Sequence, residues 1–231
     1  MSAIATIIEK AQKSGRKYLN EIESKQLLKE AGVTTTDTRL AKSRDEAIAF
    51  AKAIGFPVVL KIISPDIIHK SDIGGVKLGL GDGATVGKAY DEIMAAGKSR
   101  QPSAKIDGVS VQNMAEPGVE VIIGVSRDQQ FGPVLMFGMG GILVELLKDV
   151  SFRIVPITRY DAHEMIREMK SFPLLEGYRG SEPASIEALE DVLLKVSELA
   201  AKTPQIKEMD LNPVCARRDD AIAVDARSVL V

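Results

Sequence analysis

A mixed α+β fold in two lobes is the class this sequence predicts, and three observations carry that expectation. Apolar residues at helical spacing alternate along the chain with β-branched runs, so helices and strands are interleaved. In the second half, apolar runs at 109–114, 119–125 and 133–137 are joined by short polar connectors, a spacing that predicts three neighbouring antiparallel strands. No segment recurs with a period of 20–50 residues, which excludes a solenoid. The expected partition is a larger lobe from residues 1–35 and 108–231 and a smaller lobe from 36–107.

The elements follow in order. Ile4, Ile7, Ile8 and Ala11 share one helix face, and Gly15 ends that helix. Asn20 caps a second helix reaching Ala31, with Ile22, Leu27, Leu28 and Ala31 inward and Gly32 as its stop. Ser43-Arg44-Asp45-Glu46 reads as a capping box, opening a helix that carries Ala47, Ile48, Ala51 and Ile54 and closes at Gly55. Pro57 precedes Val58–Ile63, a run that predicts a buried strand. A polar loop from Ser64 to Asp72 leads to Gly74-Gly75, after which Val76, Leu78 and Leu80 alternate as a strand. Val86, Ala89, Tyr90, Ile93 and Met94 predict a helix over about 84–96. Past the three apolar runs, Phe152–Ile157 predicts a strand and Thr158-Arg159-Tyr160-Asp161 a helix start. Ile186, Leu189, Leu193, Val196 and Ala200 form an amphipathic helix. Ile206–Val214 and Ala221–Val224 flank Arg217–Asp220 as a hairpin.

Composition narrows the function. Lys and Arg total 30 against 32 Asp and Glu, a net charge of −2 that argues against a nucleic-acid or anionic-membrane binder. With 45% apolar and 27% charged residues the chain is globular rather than disordered. No apolar run is long enough to span a bilayer, and the first residues lack the apolar core of a signal peptide. Cys215 is the single cysteine, which excludes an internal disulfide and argues against a cysteine-built metal site; a cytoplasmic chain is expected, with Cys215 as a small core residue. Tryptophan is absent and aromatics are 4%, so the core must be aliphatic.

Two phosphate-loop patterns fail on spacing. Gly138-Met139-Gly140-Gly141 resembles a dinucleotide loop, but the third glycine would fall at Leu143. Gly97-Lys98-Ser99 ends like a Walker A loop, but Glu92 stands where its first glycine belongs, so Gly97 reads as a helix cap. Four constellations remain. Lys61 lies inside an apolar strand, placed either to meet a phosphate in low dielectric or to snorkel at the strand end. His69-Lys70-Ser71-Asp72-Ile73-Gly74-Gly75 is either a phosphate-cradling loop with a phosphorylatable histidine or a surface turn. His163 reads as solvated. Glu208, Asp210 and Asn212 share one strand face and look across a hairpin to Asp225; they suit Mg²⁺, or form the solvent face of an edge strand. Val111-Gln112-Asn113-Met114, followed by Gly118-Val119-Glu120, can form a hinge offering backbone groups to a base and a carboxylate to ribose hydroxyls.

Taken in order, Gly55–Lys61, Ile68–Val76, Glu116–Glu120, Phe137–Gly141, Val144-Glu145, Tyr178–Gly180 and Asp210–Pro213 resemble one family, the ATP-grasp β subunits of ADP-forming acyl-CoA synthetases, specifically ADP-forming acetyl-CoA synthetase. The chain is more distantly similar to the succinyl-CoA synthetase β subunit. The resemblance implies an ATP-grasp fold whose two lobes close on Mg-ATP or Mg-ADP, and a ligase reaction, acyl-CoA + ADP + phosphate ⇌ carboxylic acid + ATP + CoA. It implies an α subunit carrying the CoA site and a first phosphohistidine, in an α₂β₂ assembly. It places Lys61, Ser71, Gly74, Gly75 and Glu120 at the nucleotide, Val111–Met114 around the adenine, and Asn212 and Asp225 at Mg²⁺. A glutamate of succinyl-CoA synthetases steadies the phosphohistidine where Asp210 stands, so Asp210 takes that role, with metal binding as the alternative. Where those enzymes have a glycine-rich stretch, this chain has His69-Lys70-Ser71, as in the acetyl-CoA synthetase branch, and a phosphoryl relay through His69 is expected. Glu145, Asp149, Arg153 and Arg179 fit the pattern without an assigned role. Two competing readings are a stand-alone ATP-grasp carboxylate–amine ligase, which would leave His69 idle, and a non-catalytic nucleotide sensor, which has no need of Asp210, Asn212, Asp225 and Lys61.

Overall fold

The computed structural model describes residues 2–67, 69–141 and 149–231. The chain forms two compact units, unit 1 from Met1–Thr35 with Glu116–Val231 and unit 2 from Thr36–Ala115. In chain order the described elements are α1 (Ala3–Lys13), β1 (Tyr18–Leu19), α2 (Glu21–Glu30), β2 (Thr38–Ala41), α3 (Arg44–Ile54), β3 (Val58–Ile63), β4 (Val76–Leu80), α4 (Gly83–Arg100) and β5 (Gly108–Asn113). They continue as β6 (Val119–Asp128), β7 (Gly132–Met139), β8 (Val150–Ile154), α5 (Arg159–Arg167), α6 (Ile186–Lys202), β9 (Ile206–Ala216), β10 (Ala221–Ala223) and β11 (Ala226–Leu230), with short 3₁₀ turns at Phe172–Leu174 and Tyr178–Gly180. No described helix is long and apolar enough to cross a membrane.

Unit 2 is a four-stranded antiparallel sheet in the order β2-β5-β3-β4 with α3 and α4 packed on one face. Val58, Leu60, Ile62, Val109 and Val111 point under those helices, into a core with Ala47, Ala51, Val86, Ala89 and Ile93. Strand alternation sends Val59, Lys61, Ser110 and Gln112 to the other face. The expectation of three consecutive neighbouring strands after residue 108 fails here. Strand β5 pairs with β2 and β3, not with β6, so residues 108–115 belong to unit 2 and the boundary expected at 107/108 falls after Ala115. Connector length cannot reveal which of several apolar strands a run will join.

Gly97, expected as a helix cap, lies inside α4. A Cβ there would sit 2.6 Å from Ile62 Cδ1 and 2.9 Å from Ile106 Cδ1, so the glycine lets the helix lie close to β3. Ser43 caps α3 as expected, but Glu46 returns its carboxylate to the Lys42 amide rather than the Ser43 amide. Val76–Leu80 forms the expected strand, but the β3–β4 register slips by one residue between Val58 and Leu60, and Leu78 is exposed.

Unit 1 is built on a larger antiparallel sheet in the order β1-β11-β9-β6-β7-β8, with β10 paired to β9. Ile123, Val125, Leu135, Phe137, Met209 and Leu211 form its covered face, packed with Met165 and Ile166 of α5 and Leu189, Leu193 and Val196 of α6. Arg127 leaves the end of β6 to donate to the carbonyls of Ala200, Thr203 and Ile206, so one guanidinium satisfies the C-terminal end of α6 and the start of β9. Thr158 caps α5 through a full capping box with Asp161. Asn20 caps α2, and Glu23 completes that box while accepting two bonds from Arg16 at 2.6 and 2.8 Å.

Two stability predictions follow from these contacts. Gly97→Ala should lower stability by up to about 2 kcal/mol in urea titration, the overpacking cost of roughly 1–3 kcal/mol less the alanine's helix preference of about 1 kcal/mol. Burial alone would raise the Glu23 carboxyl, but Arg16 and the Asn20 amide outweigh it and hold the group below its ordinary value. A carboxyl depressed in the folded state stabilises above its unfolded pKa and loses that contribution as pH falls through the folded one. Glu23→Gln should therefore cost about 1–2 kcal/mol at neutral pH, with the difference from the parent vanishing in acid.

Candidate active site

In unit 2 the chain leaves β3 after Ile63 and returns as β4 so that Val76 lies opposite Lys61. The intervening loop is fastened at its return. Gly75 N–H donates to the Lys70 carbonyl at 2.8 Å, Gly74 N–H to the Ser71 carbonyl at 3.0 Å, and Ile62 N–H to the Gly75 carbonyl at 2.8 Å. Gly74 has φ +72°, and a Cβ on Gly75 would meet the Lys70 carbonyl oxygen at 2.8 Å and Ile62 Cγ2 at 2.6 Å, so neither position accepts a side chain without strain. This tight turn leaves Ser71 and the His69 imidazole exposed. Lys61 is 6% exposed, on the sheet face it shares with Ser110 and Gln112. A lysine held there is a centred strand residue rather than a snorkelling end, a cation suited to phosphate oxygens in low dielectric.

The residues expected around the base divide. Gln112 is wholly buried on the Lys61 face, opposite Val59. Val111 points to the opposite, helix-covered face, so it has only backbone to offer, and that backbone lies between β2 and β3 in the ladder. The Asn113 side chain accepts the Asp37 amide at 2.8 Å and so closes the end of β2. Met114 is 41% exposed, and its N–H donates to the Pro57 carbonyl.

In unit 1 the open face of the large sheet carries the polar residues. Glu120 begins the face on β6, opposite Cys215. Its carbonyl accepts the Gly140 N–H at 2.8 Å, and a Cβ on Gly140 would stand 3.0 Å from that carbonyl. The glycine run that failed as a dinucleotide loop thus serves close approach to Glu120. Burial pushes the Cys215 thiol up, and the Glu120 charge adds to that, so the thiol is an inert one. Farther along β9, Asp210 and Asn212 are exposed, and the Asn212 N–H donates to the Asp225 carbonyl at 3.3 Å, where Asp225 leads into β11. The register of β6 on β9 shifts between Val121 and Ile123, a bulge that falls at Asn212-Pro213 and sets apart the aim of that side chain. Surrounding protein and the charge of Asp225 raise the Asp210 carboxyl, with Arg227 opposing.

These donors fit a hard cation. Two carboxylates crowd one another and an amide side chain stands beside them on the strand, a set that a hard cation such as Mg²⁺ would complete with water or other oxygen ligands. Among the described residues no three His, Cys, Asp or Glu side chains are grouped as an all-protein metal cage. Glu208, grouped with Asp210 and Asn212 from the sequence, lies one pleat farther on, opposite Ser126.

The residues without an assigned role also resolve. Arg153 makes a paired bridge to Glu168 at 2.8 and 2.9 Å, and Asp149 accepts the Lys170 and Ser171 amides; both hold the fold. Arg179 takes φ +54° in an exposed turn and stacks on the Tyr178 ring. Glu145 lies outside the described residues. His163, read as solvated, is bound through Nδ1 to Glu190 at 2.8 Å. The sequence reading missed Arg227, whose Cα pairs with Asp210 across β11 and β9. Its signal was the alternation of Asp225, Arg227 and Val229, which puts all three on one strand face.

The ATP-grasp domain family matches residues 10–230. The chain is 51% identical over 224 residues to the β subunit of acetate–CoA ligase [ADP-forming] I of Pyrococcus furiosus, covering 97% of this chain and 96% of that one. It superposes on acetyl-coenzyme A synthetase 1 of Ca. Korarchaeum cryptofilum, in complex with coenzyme A and Ca-AMPCP, with a TM-score of 0.97 and 49% identity, covering 99% and 100% of the two chains. A second structure of that enzyme holds coenzyme A and Mg-AMPPCP, with its phosphohistidine segment pointing towards the nucleotide binding site; it matches with a TM-score of 0.88 and 45% identity over 99% and 100%.

One prediction rests on the loop geometry alone. Gly75→Ala should disrupt the 70–75 turn, because the neighbour it meets is backbone, whereas Gly74→Ala meets open space and costs only the left-handed strain of about 1 kcal/mol. Hydrogen exchange of the Gly75 and Ile62 amides should accelerate in the first variant and stay close to the parent in the second.

Proposed function

Because the chain belongs to the ATP-grasp family, among relatives of the β subunits of ADP-forming acetate–CoA ligases, we propose that it handles the nucleotide end of acyl-CoA + ADP + phosphate ⇌ carboxylic acid + ATP + CoA. It is the nucleotide-binding subunit of an acid–thiol ligase, and its partner is an α subunit. The assembly we assign is α₂β₂, with CoA and the first phosphohistidine on α.

The roles follow from the chemistry of each position. Lys61 neutralises phosphate oxygens from its buried place on β3. The backbone of the 70–75 turn, with Ser71, Gly74 and Gly75, lies against phosphate, since only glycine allows so close an approach. Gln112 and Met114 line the adenine, and Val111 and Asn113, engaged in the sheet and with Asp37, hold in place the strand that carries them. Glu120 accepts from the ribose hydroxyls. Asn212 and Asp225 hold Mg²⁺, which when bound offsets charge on the transferring phosphoryl group. Asp210 steadies an arriving phosphohistidine by accepting its ring N–H.

The observation that carries the relay is the position of His69. The imidazole is exposed on a loop whose far end is tied back beside Lys61. A phosphoryl group received there from the partner's histidine is presented next to the cation that serves the nucleotide. In the forward step the P–N bond at His69 breaks as a terminal oxygen of ADP bonds to phosphorus, and the imidazole nitrogen keeps the electron pair. Alignment and charge neutralisation are the main demands on the protein in such a transfer.

Labelling tests this reading. The α–β complex with Mg²⁺ and γ-labelled ATP should place acid-labile, base-stable label on this chain once the subunits are separated. His163→Asn should keep that label, because His163 is engaged with Glu190. His69→Asn should lose both the label and ATP formation; a His69→Asn complex making ATP at the parental rate would end the relay. Separately, Lys61→Met should weaken ADP binding about tenfold or more, the loss of one charge-assisted contact.

A further inference from the structure

The open face of the large sheet has one part that no role above uses. Beyond Asp210 lies a cavity of about 270 Å³, with Gly124 as its floor, Met136 and Phe152 on its apolar side, and Glu208, Asp210 and Arg227 on its polar side. Gly124 makes the space, because its Cα is paired with that of Asp210 in the middle of the sheet and it brings no side chain. Arg227 stands across from Asp210 on the other flank of β9. Among the described residues the Arg227 side chain is exposed and makes no ion pair or hydrogen bond, whereas those of Arg16, Arg39, Arg44, Arg153, Arg159 and Arg217 each bridge to a carboxylate. A guanidinium is a fork of donors that matches the oxygens of a phosphoryl group.

The face also has an order. From Glu120 to Gly124, the β6 residue level with Asp210, β6 advances roughly 13 Å. Asn212 and Asp225 fall between those two levels. The sequence of groups along the sheet is therefore Glu120, the metal ligands, Asp210 with Arg227, and finally the cavity. The cavity lies past the phosphate end, where a donor of the phosphoryl group must enter.

We propose that Arg227 grips the phosphoryl group of a phosphohistidine whose ring enters this cavity, with Asp210 taking the ring N–H and Phe152 and Met136 flanking the imidazole. The proposal rests on the reading of Asp210 given above. As the P–N bond of that arriving phosphohistidine breaks, its imidazole nitrogen keeps the electron pair and phosphorus bonds to the next acceptor of the relay; the guanidinium keeps its proton and holds the oxygens whose charge is spread in transfer.

The test uses the α–β complex with Arg227→Met and Arg227→Lys. Each complex is labelled from γ-labelled ATP, then chased with excess Mg-ADP in a rapid-quench mixer, while Mg-ADP affinity is measured on the same samples. Arg227→Met should slow the loading and chase of histidine label about 10²-fold, the effect of losing one fixed donor on developing charge. Arg227→Lys should recover at least tenfold of that loss, and Mg-ADP affinity should stay within about twofold of the parent. Parental chase kinetics in Arg227→Met, or a slowing matched by an equal loss of Mg-ADP affinity, would overturn the proposal. If the parent carries no histidine label, it is the phosphohistidine reading that fails. Arg227 is then judged on ATP formation alone: an unchanged rate removes its role, and a fall of similar size with intact Mg-ADP affinity keeps it on the phosphoryl group.

Discussion

The double pairing of β9, to β6 on one side and β11 on the other, is the constraint on which the rest of unit 1 depends. A strand held on both edges cannot rotate, so its alternate side chains are committed to opposite faces. Met209 and Leu211 must go under α5 and α6, and Asp210 with Asn212 must go to the open side. The chemistry is in this sense a by-product of packing. The apolar half of each strand determines where the polar half can stand, and a slip of one residue would exchange the acid for the core.

Unit 2 applies the same logic to a cation. Leu60 and Ile62 sink beneath α3 and α4, which leaves Lys61 on the reverse face with Ser110 and Gln112. The two units solve complementary electrostatic problems with one device. One sheet shelters a positive charge among apolar strands, and the other crowds negative ones on its open face. Glycines supply the remaining geometry. Gly75 and Gly140 each bring backbone within about 3 Å of what a Cβ would occupy, so both are absences that allow approach.

Much of this was legible from local chemistry. The caps at Asn20, Ser43 and Thr158 and the strand Val58–Ile63 depend on neighbours in sequence, and each forms where the residues indicate. The grouping of Asp210, Asn212 and Asp225 also follows from strand period and one hairpin. What escaped depended on long-range partners. Nothing in residues 108–113 announces that they join β3 rather than β6. Gly97 looks like a terminus because its reason, Ile62 and Ile106, lies on other elements. Val111 and Asn113 were grouped with Gln112 by adjacency, whereas alternation separates Val111 and the Asp37 amide occupies Asn113. Arg227 was invisible for the same reason, since its meaning comes from the strand beside it.

The way the chain threads its two units has a consequence for its synthesis. Unit 2 is one continuous stretch, and all four of its strands have been synthesised once β5 has been made. Unit 1 is interrupted by it, and β1, made early, pairs among the described residues only with β11, with Tyr18 opposite Val229. Closing a contact over so many residues is entropically costly and slow compared with local closure. The inserted unit can therefore complete its fold during translation, while the first two helices and β1 wait for the strand that receives them. The acids of β9 are fixed in place only when β11 arrives, so the sheet that carries Lys61 matures before the sheet that carries the acids.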